Sequence, residues 1–199
     1  KGCIFCNNHG IVSFDGVEGR MAKFLYEKFK TEQVKFTWIG GEDKTSLVMG
    51  DGRPFFAKLL SPKKRNIRLA KKSNLNEITI HDLRRIDYIP NGSIHFKSKT
   101  KILVTTKNNL SSNKLKKLKQ LADLPIEITD LNKQYKKTIY NLKYKKHSLQ
   151  SFIVEMEADG GIPIKRFVNG FNVIPSISSV LNTDCSCEKF DVDQIYLSK

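Results

Sequence analysis

Apolar positions in the first part of the chain recur first with the period of a helix and then with that of strands. Val17, Met21, Leu25 and Phe29 are spaced four residues apart, so they fall on one face of an amphipathic helix over residues 17–29. Lysines and glutamates occupy much of the opposite face. Shorter apolar or alternating runs then predict strands around 35–40, 45–49, 54–60, 77–82, 93–96 and 101–106.

The second half of the chain mixes strand and helix patterns. Ser111 is a helix-capping residue in front of a segment that carries Leu115, Leu118 and Leu121 on one face and lysines on the other, which predicts an amphipathic helix. These elements indicate an α+β fold around a mixed, mainly antiparallel sheet in two halves flanked by helices. The remaining predicted elements are strands around 126–128, 138–144, 151–157 and 190–197 and short helices at 163–170 and 175–181.

A glycine-rich stretch between two strand patterns carries a distinctive acidic pair. Gly40 and Gly41 precede Glu42 and Asp43, and a second glycine-rich turn leads to Arg53. Because glycines accept positive φ and leave space beside the backbone, a large planar ligand can approach Asp43 closely. Asp43 is therefore the candidate chemical centre. Taken alone, such a stretch is more often a hairpin turn with solvated acids.

The charge of the chain points to a polyanionic partner. The formal net charge is +15 and the isoelectric point is near 9.7, which is unusual for an enzyme that binds small acids. Nucleic acid is the expected partner; a membrane surface is the second alternative, although no apolar run is long enough to cross a bilayer. Together the basic blocks predict a broad phosphate-binding surface and salt-dependent binding. The blocks lie at 63–65, 71–72, 84–85, 114–119, 136–137, 143–146 and 165–166.

The cysteines leave two alternatives open. Four cysteines occur as Cys3 and Cys6 near the start and as Cys185 and Cys187 near the end. They are too few and too irregularly spaced for a disulfide scaffold, so a reducing, cytoplasmic setting is expected. Cys3 and Cys6 resemble half of a zinc knuckle, whose thiolates need two further ligands. Either Cys185 and Cys187 or residues upstream complete a structural zinc site, or the cysteines bind no metal.

Several motifs together resemble a known family. The segment from Gly40 to Phe56, the basic residues at 62–65 and the segment from Gly160 to Ser178 are similar to archaeal-type tRNA pseudouridine synthases. That family modifies positions 54 and 55 of the tRNA T-arm. The closing run at 190–192 matches its last strand. The resemblance extends over roughly residues 3–197 and implies a pseudouridine-synthase-like fold, tRNA as partner and catalysis without a cofactor.

The resemblance assigns roles to residues in both halves of the chain. Asp43 is the carboxylate that acts as nucleophile at C1′ or as base at C2′ of uridine, and Lys165 is the cation that keeps it ionised. The alternative for Lys165 is a surface phosphate contact, which is also the role expected of Arg166. Ile164 and Val192 correspond to the apolar wall against the flipped uracil. Core packing explains Ile164 and Val192 equally well.

Two positions depart from the family pattern. Thr100 stands where the resemblance expects a tyrosine against the target base. Either Tyr135 or Tyr140 supplies the ring from another strand, or activity is reduced, or the register of the match differs. Gly41 stands where relatives outside the archaeal type carry arginine, so Arg53 or an already open RNA loop takes over part of the base flipping.

These observations predict a monomeric, cytoplasmic isomerase that converts uridine to pseudouridine in the tRNA T-arm and does not associate with membranes. One catalytic domain is expected over 1–199, with the cysteine pair and a lead-in helix at 1–30, a first half at 31–110 and a second half at 111–199. The family's N-terminal THUMP-containing region is absent from this sequence. The alternative is a catalytically weak or silent RNA-binding module or chaperone on the same fold.

Overall fold

The computed structural model describes residues 11, 13–41, 46–89, 94–122, 124–131 and 133–197. The fold is mixed α and β, and every pairing between strands in these residues is antiparallel. The chain divides into two compact units. The first comprises Lys1–Ile39 and Pro54–Gly92, and the second comprises Gly40–Arg53 and Ser93–Lys199.

The first unit is built from one helix and two hairpins. The helix α1, Val17–Phe29, has the predicted bounds and buries Met21, Ala22 and Leu25, as its apolar period requires. Strands β1, Gln33–Trp38, and β2, Phe55–Leu60, form the first hairpin. Strands β3, Lys72–Leu75, and β4, Ile78–His81, form the second. The sequence did not predict β3, because its polar residues show no apolar alternation.

A four-stranded antiparallel sheet forms the centre of the second unit, in the order β11-β5-β9-β8. The two predicted strands at 93–96 and 101–106 are one long strand, β5, because pairing on both sides keeps the polar residues between them extended. The strands are β5, Phe96–Thr106, β8, Ile139–Lys146, β9, Ser151–Asp159, and β11, Cys185–Leu197.

The inner face of this sheet is buried under short helices. The predicted helix after Ser111 is α-helical only over α2, Ser112–Leu115, and continues as a 3₁₀ helix, Lys116–Ala122. A leucine at every third position suits the three residues per turn of a 3₁₀ helix, since all such side chains then lie on one side. The leucines of this helical segment, Leu115, Leu118 and Leu121, are fully buried.

A small second sheet and two further helices complete this unit. The sheet has the order β10-β6-β7, in which β7, Lys133–Lys137, was not predicted because its sequence is largely basic. The predicted helices at 163–170 and 175–181 are present in slightly shorter form. The remaining elements are β6, Ile126–Asp130, β10, Val173–Ile174, α3, Ile164–Asn169, and α4, Ile177–Leu181. Among the described helices, none combines the length and the apolar character that crossing a membrane requires.

Replacing Leu118 with alanine should lower the free energy of unfolding by about 2–5 kcal/mol, because it leaves a cavity under the four-stranded sheet. Urea unfolding followed by circular dichroism measures the change. Lys117→Ala, on the exposed side of the same 3₁₀ helix, is the control and should change stability by less than about 0.5 kcal/mol. Equal losses for the two variants would contradict the placement of the leucine face.

Candidate active site

The glycine-rich segment with Asp43 belongs to the second unit. Asp43 and its neighbours Glu42, Lys44 and Thr45 lie outside the described residues, so its predicted role remains a prediction. The structure does describe both flanks of this segment. Gly41, before it, is exposed and has nothing within 4 Å of the position that a Cβ would take.

The flank after Asp43 is docked along β11. Leu47 donates its backbone N–H to the Asp191 carboxylate at 2.9 Å, and its carbonyl accepts a hydrogen bond from the Val192 N–H at 2.8 Å. The Met49 N–H donates to the Val192 carbonyl at 2.8 Å. Val48 therefore makes a single parallel bridge with Val192. The sequence prediction of a strand at 45–49 is therefore wrong. The described residues of this segment form one isolated bridge with β11 and no strand.

Gly50 allows this docking because of its conformation and its size. Its φ is +62°, and a Cβ at this position would lie 2.6 Å from the Asp193 carbonyl oxygen. Side chains other than hydrogen are therefore excluded by both strain and overlap. Immediately beside it, Gln194 donates a hydrogen bond from Nε2 to the Asp51 carboxylate at 2.8 Å.

Arg53 joins the two ends of the segment. Its guanidinium donates a hydrogen bond to the carbonyl oxygen of Gly40. Gly40 has a φ of +81°, and a Cβ there would contact Ile195 and Phe96. This hydrogen bond therefore links the described residues before Asp43 to those after it. Its predicted contact with substrate remains a prediction.

Thr100 and Val192 are brought together by the register of the sheet. Thr100 of β5 lies opposite Val192 of β11 on one side and opposite Met156 of β9 on the other. All three residues are buried. The position at which the family resemblance expects a tyrosine is therefore held by a small side chain inside the sheet, next to one of the two predicted wall residues.

Helix α3 carries Ile164 and Lys165 and packs against β11. Ile164 is partly buried against the core, whereas Lys165 is exposed.

Just before α3, the Gly160 N–H donates to the Phe96 carbonyl at 2.7 Å, and a Cβ on Gly160 would overlap the Phe96 ring. Close approach at Gly160 places the turn before α3 at the start of β5. This end of the sheet, with the docked 46–53 flank, is the candidate active site.

Arg166 is engaged in internal contacts. Its guanidinium donates hydrogen bonds to the carbonyls of Phe171, at 3.0 Å, and Thr129, and it lies 3.6 Å from the Asp130 carboxylate. These contacts fasten α3 to β6. The phosphate contact of Arg166 remains a prediction.

The two tyrosines considered for the missing ring lie in different places. Tyr140 of β8 donates its hydroxyl to the Asp159 carboxylate at 2.8 Å, which raises the pKa of Tyr140. Asp159 is three residues from Met156, so it lies on the face of the sheet opposite to Thr100. The structure therefore does not bring Tyr140 to Thr100.

Tyr135 lies on β7, whose last residue, Lys137, approaches the turn before α3. Its ring packs against the core and lies 5.9 Å from the Lys137 ammonium. The same ammonium is 3.8 Å from the Cβ position of Gly161, in the turn that leads to α3. Tyr135 is thus linked to this turn through Lys137, whereas Tyr140 bonds Asp159, directly before the turn, on the outer face of the sheet.

The outer face of the sheet carries a charge pattern that the sequence blocks did not show. Lys99 and Lys101 of β5 lie opposite Glu157 and Glu155 of β9, with ion pairs of 3.9 and 3.7 Å. A hydrogen bond to Tyr196, together with the charges of Tyr196 and Glu157, raises the pKa of Lys99. Basic blocks along the sequence could not reveal this pattern, because it arises across strands.

The described cysteines do not assemble a metal site. Cys3 and Cys6 lie outside the described residues, and no group of three or more His, Cys, Asp or Glu side chains suited to a metal is found within the described ones. Burial raises the pKa of the Cys185 thiol, which donates to the Thr183 carbonyl at 3.4 Å. This environment opposes the thiolate that zinc needs. The structural zinc remains a prediction for Cys3 and Cys6.

The sequence matches the family described as "Pus10, C-terminal" over residues 5–196. It is 41% identical over 196 residues to the tRNA pseudouridine synthase Pus10 of Nitrosopumilus maritimus, covering 98% of this chain and 51% of that protein. It is 33% identical to the Pus10 of Cenarchaeum symbiosum, covering 100% of this chain and 50% of that protein. The chain thus spans about half the length of these relatives.

Solved structures give a weaker likeness. A Cbf5-Nop10-Gar1 complex has a chain with 9% identity and a TM-score of 0.40, covering 52% of this chain and 32% of that one. An H/ACA RNP bound to a substrate RNA containing 2′-deoxyuridine has a chain with 9% identity and a TM-score of 0.38, covering 49% and 28%.

Gly50→Ala should detach the 46–53 flank from β11, because the added methyl group overlaps the Asp193 carbonyl and the backbone φ is unfavourable for alanine. Hydrogen exchange should then be faster at the amides of Leu47 and Met49, while amides of β9 stay protected. Gly16→Ala is the control, because nothing lies within 4 Å of its Cβ position. Unchanged exchange at Leu47 and Met49 in Gly50→Ala would refute the docking role.

Proposed function

This chain belongs to the Pus10 C-terminal family, and from that premise we propose that it is the catalytic part of a tRNA pseudouridine synthase. The observation that carries the proposal is the 41% identity to a named tRNA pseudouridine synthase over 98% of this chain. The net charge of +15 supports an RNA substrate. The proposed targets are the uridines at positions 54 and 55 of the T-arm.

The proposed chemistry is an isomerisation without net change in composition. The C1′–N1 bond of uridine breaks, the uracil turns, and C5 bonds to C1′; C5 then loses its proton and N1 gains one. The Asp43 carboxylate serves as nucleophile at C1′ or as base at C2′. No cofactor is needed for these steps. We also propose a monomeric enzyme in the cytoplasm, with no membrane partner.

The anchored flanks of Asp43 support its assignment. The segment is closed by Arg53 and Gly40 and docked on β11 through Leu47 and Val192. Anchored flanks favour a catalytic role, because a catalytic group gains most when the chain around it is preorganised. The docking partner β11 also packs against α3, the helix that carries Lys165.

We assign the apolar wall to Ile164 and Val192 and the basic partner to Lys165. Ile164 is only partly buried and so retains surface for a ligand. Thr100 lacks a ring, and Tyr140 is held on the other face of the sheet. Tyr135 is therefore our choice for the aromatic contact to the flipped base, with Gly41 and Arg53 on the opposite flank of the pocket and Arg166 toward the phosphates.

A catalytically silent RNA-binding module is the second candidate function. The observation that favours it is Thr100, which is buried between Val192 and Met156 without an aromatic side chain. Chemical mapping of pseudouridine in a tRNA transcript incubated with the chain separates the two. Binding without conversion would support the silent module and overturn the synthase.

Asp43→Asn should lower the single-turnover rate of pseudouridine formation by at least about three orders of magnitude, because it removes the charge assigned to the chemistry. Binding of the tRNA transcript should change little. Glu42→Gln removes a neighbouring charge and should retain activity within about tenfold. Asp43→Asn with near-wild-type turnover would leave the glycine-rich segment as a hairpin connection only.

Lys165→Met should slow the reaction by one or more orders of magnitude and move the acid limb of the pH–rate profile to higher pH. Without the ammonium, the pKa of the catalytic carboxylate rises, so a higher pH is needed to ionise it. Lys119→Met changes an exposed lysine of the 3₁₀ helix and should leave the profile unchanged. A Lys165 variant with weaker RNA binding and an unmoved profile would identify a phosphate contact instead.

A further inference from the structure

A second cleft of about 520 Å³ lies in the second unit. Asn108, which follows β5, and Asp184, which precedes β11, form one side of it. Since β5 is 11 residues long and a strand rises about 3.3 Å per residue, this side of the cleft is roughly 30 Å from Phe96 at the other end of β5. Another side is formed by Asn169, which follows Lys165 by one turn of α3.

The lining of the cleft is rich in amide and hydroxyl groups. Asn108, Asn169 and Asn182 contribute such groups, and all three are exposed. The Thr183 hydroxyl is buried and has no hydrogen-bond partner within the described residues. Neutral donors and acceptors of this kind match the edges of a nucleobase and the hydroxyls of ribose. The volume suits a ligand of nucleotide size.

An exposed aromatic residue, Phe171, follows Asn169 and Gly170 of the lining. Phe171 is 64% exposed, and its backbone N–H donates to the Asn169 side chain of the cleft at 2.9 Å. Arg166 fixes the Phe171 carbonyl at 3.0 Å, and its guanidinium lies 5.8 Å from the ring centroid. Ile174, also in the lining, is 68% exposed. A held, exposed ring next to a cation is the usual platform for an unpaired base.

The charges around the cleft favour a polyanion. The Lys114 ammonium donates to the Asn182 carbonyl at 3.3 Å, so it reaches the edge of the lining. Lys116 and Lys117 follow on the exposed side of the 3₁₀ helix. Asp184 is the sole acidic residue among the lining residues. The phosphates of an RNA strand can therefore contact these lysines, while its base and sugar contact the neutral groups of the lining.

We propose that this cleft binds one unpaired nucleotide of the RNA substrate, with its base stacked on Phe171 and its base edge and ribose hydroxyls bound by the asparagine and hydroxyl side chains. The site is an anchor for a nucleotide other than the reacting uridine. The proposal rests on the proposed function for the identity of the RNA, but the binding it describes is separate from the chemistry.

A single-tryptophan variant tests stacking directly. The chain has one tryptophan, Trp38, so Trp38→Phe combined with Phe171→Trp places the only indole at the cleft. Titration with an in vitro tRNA transcript should quench its emission, because a base stacks on the ring. A fully paired RNA duplex of the same length offers no unpaired base and should quench little. Equal quenching by both RNAs, or none by tRNA, would overturn the anchor.

Affinity measurements test the same site without a probe. Phe171→Ala should weaken tRNA binding about tenfold, while Phe171→Tyr should bind as the original chain does. The salt dependence of binding should be unchanged, because no cation is removed. Leu149→Ala is the matched control, since Leu149 is 63% exposed in the turn between β8 and β9. Wild-type affinity for Phe171→Ala would refute the proposal.

The outcomes distinguish the anchor from the synthase. If tRNA is bound and the loss for Phe171→Ala is observed, but no pseudouridine forms, the anchor stands and the proposed function fails. If pseudouridine forms while Phe171→Ala binds like the original chain, the synthase stands and the anchor fails.

Discussion

The pairing of β5 with both β9 and β11 is the interaction on which the second unit depends. It joins residues 96–106, 151–159 and 185–197 in one sheet, although they are far apart in the sequence. Alternate residues of β5 enter the core, and those between them form the charged outer face. A shift of one residue would exchange the two faces. Burial of Ile102 and Val104 therefore fixes the same register that sets Thr100 beside Val192.

The register also determines how much positive charge is available to a polyanion. Lysines of β5 stand opposite carboxylates of β9, so part of their charge is compensated within the sheet. These exposed ion pairs contribute little to stability, but they keep like charges apart. Lysines on the 3₁₀ helix have leucines, and no carboxylates, as their neighbours in sequence. The distribution of opposing acids, and not the lysine count alone, decides which surface attracts a polyanion.

The sequence predicted the strongly periodic elements well and missed strands that form through pairing with a neighbouring strand. The helix α1 has the predicted bounds because its apolar face has a clear helical period. The strand β7 has no such pattern and exists through its pairing with β6. The predicted strand at 45–49 failed because its apolar residues belong to a docked segment. For the site, motifs selected Val192 and Thr100, but only the register shows that they are neighbours.

The chain enters and leaves the 40–53 segment through the paired strands β1 and β2 of the other unit. In the order of the chain, the segment is an insertion within the first unit. The chain passes from one unit to the other just before Gly40 and just after Arg53. A fragment over 93–199 retains every strand of the four-stranded sheet but lacks this segment entirely. The second unit is therefore not contiguous in sequence, and dissecting it requires either the whole chain or complementation between two fragments.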